Sequence, residues 1–273
     1  MKLARLPLVG LLALAACSGS EDAVRGRTIL LVSLDSVRAD ALTFDDAQAT
    51  PNLAALAESG TVFTSAFSGS SWTLPGHASM FTGMPPALHG VEYDDIALDP
   101  AHVTLPEVLS EAGWFTAGWW TGWFLAGEYG FARGFDQYTN AMTGGAQLEA
   151  SYAGALERGD TSGAGAALGM RDVASHQDIT SPNVLAGFER TVSRIEPERD
   201  LFLFVHLFDP HYDYIPPAPF DTRFDPDYTG PFDGRGFFTD PRIFDASKQP
   251  PRQIGERDLD HVRALYQGEI AYT

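Results

Sequence analysis

Apolar positions along the chain follow two rhythms. Thr28–Leu34 (TILLVSL) and Leu201–Phe208 (LFLFVHLF) are short, nearly continuous apolar runs, the form taken by strands covered on both faces of a parallel sheet. Trp114–Trp120 reads as an aromatic strand and Thr61–Thr64 as a further short one. Between these runs the spacing changes to that of helices. Thr50-Pro51 opens a stripe of Leu53, Leu56 and Ala57 that Gly60 stops, and Thr104-Leu105-Pro106-Glu107 opens another of Leu105, Val108 and Leu109 that ends at Gly113. A short helix after Thr73 ends near Gly83. Pro182–Ile195 places Val184, Leu185, Phe188, Val192 and Ile195 on one face, and Asp258–Thr273 has Leu259, Val262, Leu265, Tyr266 and Ile270 at helical spacing. Strand and helix alternate, which predicts an α/β fold with a mainly parallel sheet sandwiched by helices. The alanine- and glycine-rich stretch 141–169 lacks an apolar period and reads as a surface insertion. Residues 212–255, rich in proline, aspartate and aromatics, read as a second insertion lying over a site.

Composition narrows the class. The 273 residues carry 18 basic and 36 acidic side chains, a formal charge of −18, with 44% apolar residues and one cysteine. A disordered tail, a disulfide-stapled miniprotein and a nucleic-acid reader are excluded, the last by the sign of the charge. An anionic substrate must meet a local positive centre against the long-range field, which points toward a metal.

The amino terminus has its own pattern. Lys2 and Arg5 precede an apolar run from Leu6 to Ala16, too short to cross a bilayer, which reads as a secretory signal. Leu14-Ala15-Ala16-Cys17 resembles a bacterial lipobox, with an ordinary signal peptide carrying a chance cysteine as the alternative. On the first reading residues 1–16 are a lipoprotein signal and Cys17 is lipidated. Residues 17–27 then form a tether, and residues 28–273 a folded domain at the membrane surface of the bacterial cell envelope. Removing the leader takes the charge to −20 and leaves Lys248 as the only lysine. Ser18 after the cysteine implies an outer-membrane lipoprotein facing the periplasm or the exterior.

In open parallel sheets ligands gather beyond the carboxyl ends of the strands. Asp35 and Asp209-Pro210-His211 follow the two clearest strands, and Thr73 lies in the loop after a further strand candidate. A carboxylate, an alcohol and a histidine on one rim suit metal-assisted displacement at phosphorus or sulfur, with the helix after Thr73 aiming amides at the anion. His206, inside an apolar strand, reads on its own as a buried neutral histidine.

Leu34-Asp35-Ser36-Val37-Arg38-Ala39-Asp40, Thr50-Pro51-Asn52-Leu53, Thr73-Leu74-Pro75-Gly76-His77-Ala78-Ser79-Met80-Phe81-Thr82-Gly83 and His89-Gly90-Val91 together resemble, in their order, the N-terminal region of the sulfatase family within the alkaline phosphatase superfamily. So do Gly130-Phe131, Gly134-Phe135-Asp136, the Phe204–His211 run and Tyr266-Gln267-Gly268-Glu269-Ile270-Ala271-Tyr272. Several motifs in order from about residue 28 onward carry more weight than any one alone.

The resemblance implies an alkaline-phosphatase-like fold and one divalent metal, calcium for a sulfatase, manganese or zinc for a phosphoesterase. It makes Asp35 a metal ligand and Thr73 both ligand and nucleophile. His77 stands where many relatives have an arginine supporting the nucleophile, and His211 matches a histidine at the substrate or leaving group, with His206 and Asp209 on the substrate side. The implied partner is a sulfated or phosphorylated small molecule or glycan, with the membrane as a second partner through the lipid. Three departures qualify this. Threonine cannot be oxidised to formylglycine as a cysteine or serine can, so Thr73 would attack directly and form a phospho- or sulfo-threonine. Ser36 follows Asp35 where many sulfatases have a second aspartate. The family's later Asp-His pair has no counterpart before Thr273, so the chain is expected to be C-terminally incomplete. A phosphodiesterase, a phosphonate-ester hydrolase, a phosphoethanolamine-type transferase and a non-catalytic lipoprotein remain alternatives.

Overall fold

The computed structural model describes residues 26–42, 49–94, 96–163, 165–167, 170, 180–237, 240–243, 247–248 and 254–273. Residues 1–25, which hold the stretch read as a leader, Cys17 and most of the stretch read as a tether, lie outside the described residues.

Four strands, β1 (Thr28–Leu34), β2 (Phe115–Trp120), β3 (Gln137–Asn140) and β4 (Leu201–Leu207), form one sheet in the order β1-β4-β2-β3. Every pairing is parallel, with Leu31 opposite Phe204, Gly118 opposite Phe204 on the other side, and Trp119 opposite Thr139. β4 is therefore central, and its continuous apolar sequence is explained by two covered faces. Phe202 and Phe204 pack with Trp120 toward Leu74, Ala78 and Phe81 of helix α2 (Thr73–Thr82), while Leu203 and Val205 pack with Ala117 and Trp119 toward Val184 of helix α6 (Ser181–Val192). The expected sandwich is present. β1 is an edge strand and leaves Ile29, Leu30 and Val32 exposed.

The remaining helices are α1 (Pro51–Ser59), α3 (Pro86–His89), α4 (Leu105–Glu111), α5 (Gly145–Glu157) and α7 (Glu256–Tyr272). α4 starts on a capping box: Glu107 accepts the Thr104 amide at 2.8 Å and the Thr104 side chain answers the backbone at the other end. α2 stops at Gly83, whose φ of 69° is left-handed and whose amide returns to the Ser79 carbonyl.

Some elements differ from the sequence expectations. Thr61–Thr64 forms no strand: among the described residues none pairs with it in a ladder, and Phe63 is 79% exposed. The stripe on α1 faces no core, since none of its residues is buried. Part of the stretch read as an irregular insertion is helix α5, which buries only Gly145 and Ala155, and so few buried positions produce no apolar period. Among the described residues between β4 and α7 there are turns but no regular element. That connection instead has a small core of its own, Phe232, Ile243 and Ile254 against Val262 of α7.

Candidate active site

The carboxyl end of β1 delivers Asp35 into a bend at which Ser36 has a φ of 55°, a left-handed value that non-glycine residues adopt at a cost and that clusters at functional loops. Two side chains hold the bend. The Ser36 hydroxyl donates to Asp35 Oδ1 at 2.9 Å, and the Tyr266 hydroxyl, from α7, donates to the Ser36 carbonyl and accepts the Arg38 amide, both at 2.8 Å.

Asp35 is buried, and its other oxygen is also engaged. Thr73, the first residue of α2, donates from Oγ1 to Asp35 Oδ2 at 2.9 Å, and His206 of β4 donates from Nε2 to the same oxygen at 3.2 Å. A carboxylate only accepts, so the proton on His206 sits on Nε2. Burial works against the Asp35 charge, yet the hydrogen bond from His206 and the His206 ring beside it hold its carboxyl well below the usual range. Asp35 is an anion here, and the Thr73 hydroxyl proton points at it.

His77, one turn into α2, uses both ring nitrogens inside the protein: Nδ1 meets the Thr73 carbonyl at 2.8 Å and Nε2 meets the Ser33 hydroxyl at 2.8 Å. The carbonyl cannot donate, so Nδ1 carries the proton and Nε2 accepts from Ser33. Burial, then the adjacent His206, push the His77 pKa down to about 4 against Asp35 and the Thr73 carbonyl, consistent with a neutral ring.

These groups line one cavity of about 790 Å³, bordered by Ser33, Asp35, Ser36, Thr73, His77 and His211 and walled by Trp123, Phe124 and Phe208. That is the size of a small-molecule site. His211 enters from just beyond β4, stacked on Phe208 at 4.3 Å, with Nδ1 donating to the Tyr212 carbonyl. The amino-terminal turn of α2 opens at the same place; Pro75 has no N–H and the Gly76 amide bonds the Trp72 carbonyl, which leaves the Thr73 and Leu74 amides of that turn for an anion.

Of the residues singled out from the sequence, Asp35, Thr73, His77 and His211 share this cavity, and His206 stands behind Asp35. Asp209 turns away: its Oδ1 accepts the Thr180 amide and hydroxyl at 2.7 Å, and its Oδ2 the Ser181 amide at 3.0 Å, at the start of α6. Ser33, Ser36 and Tyr266 are the participants that sequence reading did not assign. Tyr266 lay inside a motif already singled out, whereas nothing marks Ser33 within its apolar strand.

A divalent ion would find the Asp35 carboxylate and the Thr73 hydroxyl here. No group of three or more histidine, cysteine, aspartate or glutamate side chains able to hold a metal occurs among the described residues. Four or more ligands are usual, so the described residues do not fit a complete metal shell.

Comparisons place the fold. The phosphonate monoester hydrolase of Agrobacterium radiobacter is 22% identical with a TM-score of 0.60, over 90% of this chain and 56% of that one. The soluble domain of lipooligosaccharide phosphoethanolamine transferase A from Neisseria meningitidis is 14% identical with a TM-score of 0.56, over 92% and 60%. A putative sulfatase from Bacteroides thetaiotaomicron is 14% identical with a TM-score of 0.54, over 91% and 52%. The chain thus spans little more than half the length of these structures. No curated protein matches it in sequence. The family model described as Sulfatase matches residues 27–273, and the chain belongs to the sulfatase family.

Proposed function

We propose that this protein cleaves or transfers the ester of a tetrahedral oxyacid, sulfate or phosphate-type, with Thr73 as the attacking residue. One observation carries the reading: the Thr73 hydroxyl, at the amino terminus of α2, donates to the buried Asp35 carboxylate at 2.9 Å on the wall of the large cavity. With its proton turned to Asp35, Oγ1 presents its lone pairs to a bound ester. The Thr73 oxygen bonds to the sulfur or phosphorus, its proton passes toward Asp35, and the ester oxygen leaves on the side of His211. Water or an acceptor alcohol then cleaves the threonine adduct and restores the hydroxyl. The α2 amides stabilise the oxyanion. The metal expected from the resemblance has two donors among the described residues, so no step is routed through it.

Phosphate-type esters are favoured by the methyl group of Thr73, because the formylglycine route needs a carbon that can become an aldehyde. The relatives described as a phosphonate monoester hydrolase and a phosphoethanolamine transferase lend this support. Attachment to the bacterial outer membrane through Cys17, facing the periplasm or the exterior, is part of the same proposal and rests on the lipobox-like leader.

The test is turnover of aryl sulfate, aryl phosphate and aryl phosphonate monoesters with calcium, manganese or zinc supplied. Thr73→Ala is expected to lower turnover by about 10³-fold or more, with Thr73→Ser retaining part of it, and the exact mass of a trapped Thr73 adduct separates sulfo- from phospho-threonine. Equal turnover by Thr73→Ala, or no turnover of any ester by the full chain, overturns the proposal.

A further inference from the structure

A second cavity, of about 470 Å³, lies between α6 and the β2–β3 edge of the sheet and shares no lining residue with the one at Asp35. Its charge is out of character for the chain. Carboxylates outnumber basic groups two to one, and many arginines elsewhere are held by them: Arg27 by Asp200, Arg38 by Asp40, Arg133 by Glu107, Arg242 by Asp240, Arg257 by Asp225. Arg190, Arg194 and Arg199 all line this one cavity, and none has a carboxylate partner among the described residues. Glu196 is the single acid in the lining, unpaired with any of them.

The end of a helix accounts for some of this. Arg190 occupies the last turn of α6, where the carbonyl ends favour a cation. It does not account for Arg199, which arrives from the turn before β4 and lies over the Phe115 ring at 4.9 Å. Stacking fixes the plane of that guanidinium while leaving its donors for another partner. The cavity wall is prepared as well. Gly187 of α6 faces Trp119 so closely that a Cβ there would stand 2.6 Å from the indole Cδ1, so only glycine lets the buried indole reach under the helix. Gln137 and Thr139 of β3, with Thr191 of α6, add neutral hydrogen-bonding groups, and the Thr191 hydroxyl already donates to Gln137 Oε1 at 3.3 Å. Guanidinium groups suit oxyanions because their paired donors match two oxygens at once. The volume, within the small-molecule range, leaves room for a body as well as its anionic group.

We infer that the cavity between α6 and the β2–β3 edge binds an anionic ester, a sulfate or phosphate group carried on a body of monosaccharide size, at a site separate from the one at Asp35. The inference stands on this cavity's own residues and does not depend on Thr73 chemistry.

Calorimetric titration of the full chain with inorganic sulfate, inorganic phosphate, glucose 6-sulfate and glucose 6-phosphate, at ionic strength held constant with chloride, tests it. Saturable binding of at least one ester is expected, tighter than its free anion. The double variant Arg190→Gln/Arg194→Gln is expected to weaken it at least tenfold while leaving aryl-ester turnover intact. Gln137→Glu supplies an independent check, because its carboxylate fills the place of the ligand: it is expected to raise the thermal midpoint while lowering ester affinity at least tenfold. Preference between the two glucose esters identifies the anionic group. Unchanged affinity in both variants, no saturable binding of any of the four, or esters no tighter than the free ions overturns the inference.

Discussion

At the scale of the residue, the site is organised around what a few polar atoms are able to accept. Asp35 takes hydrogen bonds on both oxygens, from Ser36, Thr73 and His206, and stays ionised although buried. His77 shows how a residue type and its role can separate. The resemblance puts it in support of Thr73, and the contact it makes there is with the main chain: the ring binds the Thr73 carbonyl and reaches back to Ser33 of β1. It thereby fixes the first turn of α2 against the strand that carries Asp35. Ser33→Ala leaves Nε2 of a buried ring without a donor, which costs about 1–3 kcal/mol. Urea unfolding of the variant checks this, and a loss near zero would show that water replaces the hydroxyl. That Asp35, Thr73 and His211 meet at one cavity was legible because ordered motifs mark them. Ser33 was not, because a serine in an apolar strand takes its meaning only from what the fold brings opposite, here a histidine 44 positions later.

At the scale of the element, legibility follows burial. β1 and β4 were readable as apolar runs, α6 by its stripe and α2 by its stop at Gly83, whereas α4 was readable by Pro106 and its opening Thr104–Glu107 and not by its stripe, of which Leu105 and Val108 are exposed. β3, with the sequence Gln137-Tyr138-Thr139-Asn140, was invisible, since a short, half-exposed edge strand needs neither alternation nor a hydrophobic run. The stripe on α1 and the Thr61–Thr64 run misled in the opposite sense, because local pattern records a capacity for burial and not the presence of a partner surface. Asp209 belongs at this scale too. Assigned from the resemblance to the substrate side, its carboxylate is spent on the amides that open α6, whose own preceding residue, Thr180, makes no side-chain cap to the helix. A borrowed cap of this kind joins β4 to α6. Asp209→Ala is therefore expected to cost about 2 kcal/mol, the upper end for a lost cap because the acceptor is charged and buried, with Asp209→Asn losing less. Chemical unfolding measures it. A large rise in KM with unchanged stability would return Asp209 to the substrate.

At the scale of the whole molecule, α7 closes the structure by long-range hydrogen bonds. Tyr266 holds the bend after β1, and Glu269 accepts the Ile215 amide at 2.6 Å, pinning the start of the long connection that follows β4. The second carboxyl oxygen of Glu269 is buried and has no partner among the described residues. Burial, with the carboxylates of Asp209 and Asp213 nearby, pushes the Glu269 pKa up to about 9 from an ordinary 4.5, against the opposing Ile215 amide. The native state therefore keeps a proton that the unfolded chain has already released. Its contribution to stability is fully present below pH 4.5 and is lost as the pH rises toward 9. Glu269→Gln keeps an acceptor for Ile215 and removes the titration. Urea unfolding at pH 5, 7 and 9 is expected to show the wild-type chain falling relative to the variant at each step, so that the variant is the more stable at the alkaline end. If the two stabilities run parallel in pH, Glu269 is ionised in the native protein, and a cation or a donor from elsewhere must face its second oxygen.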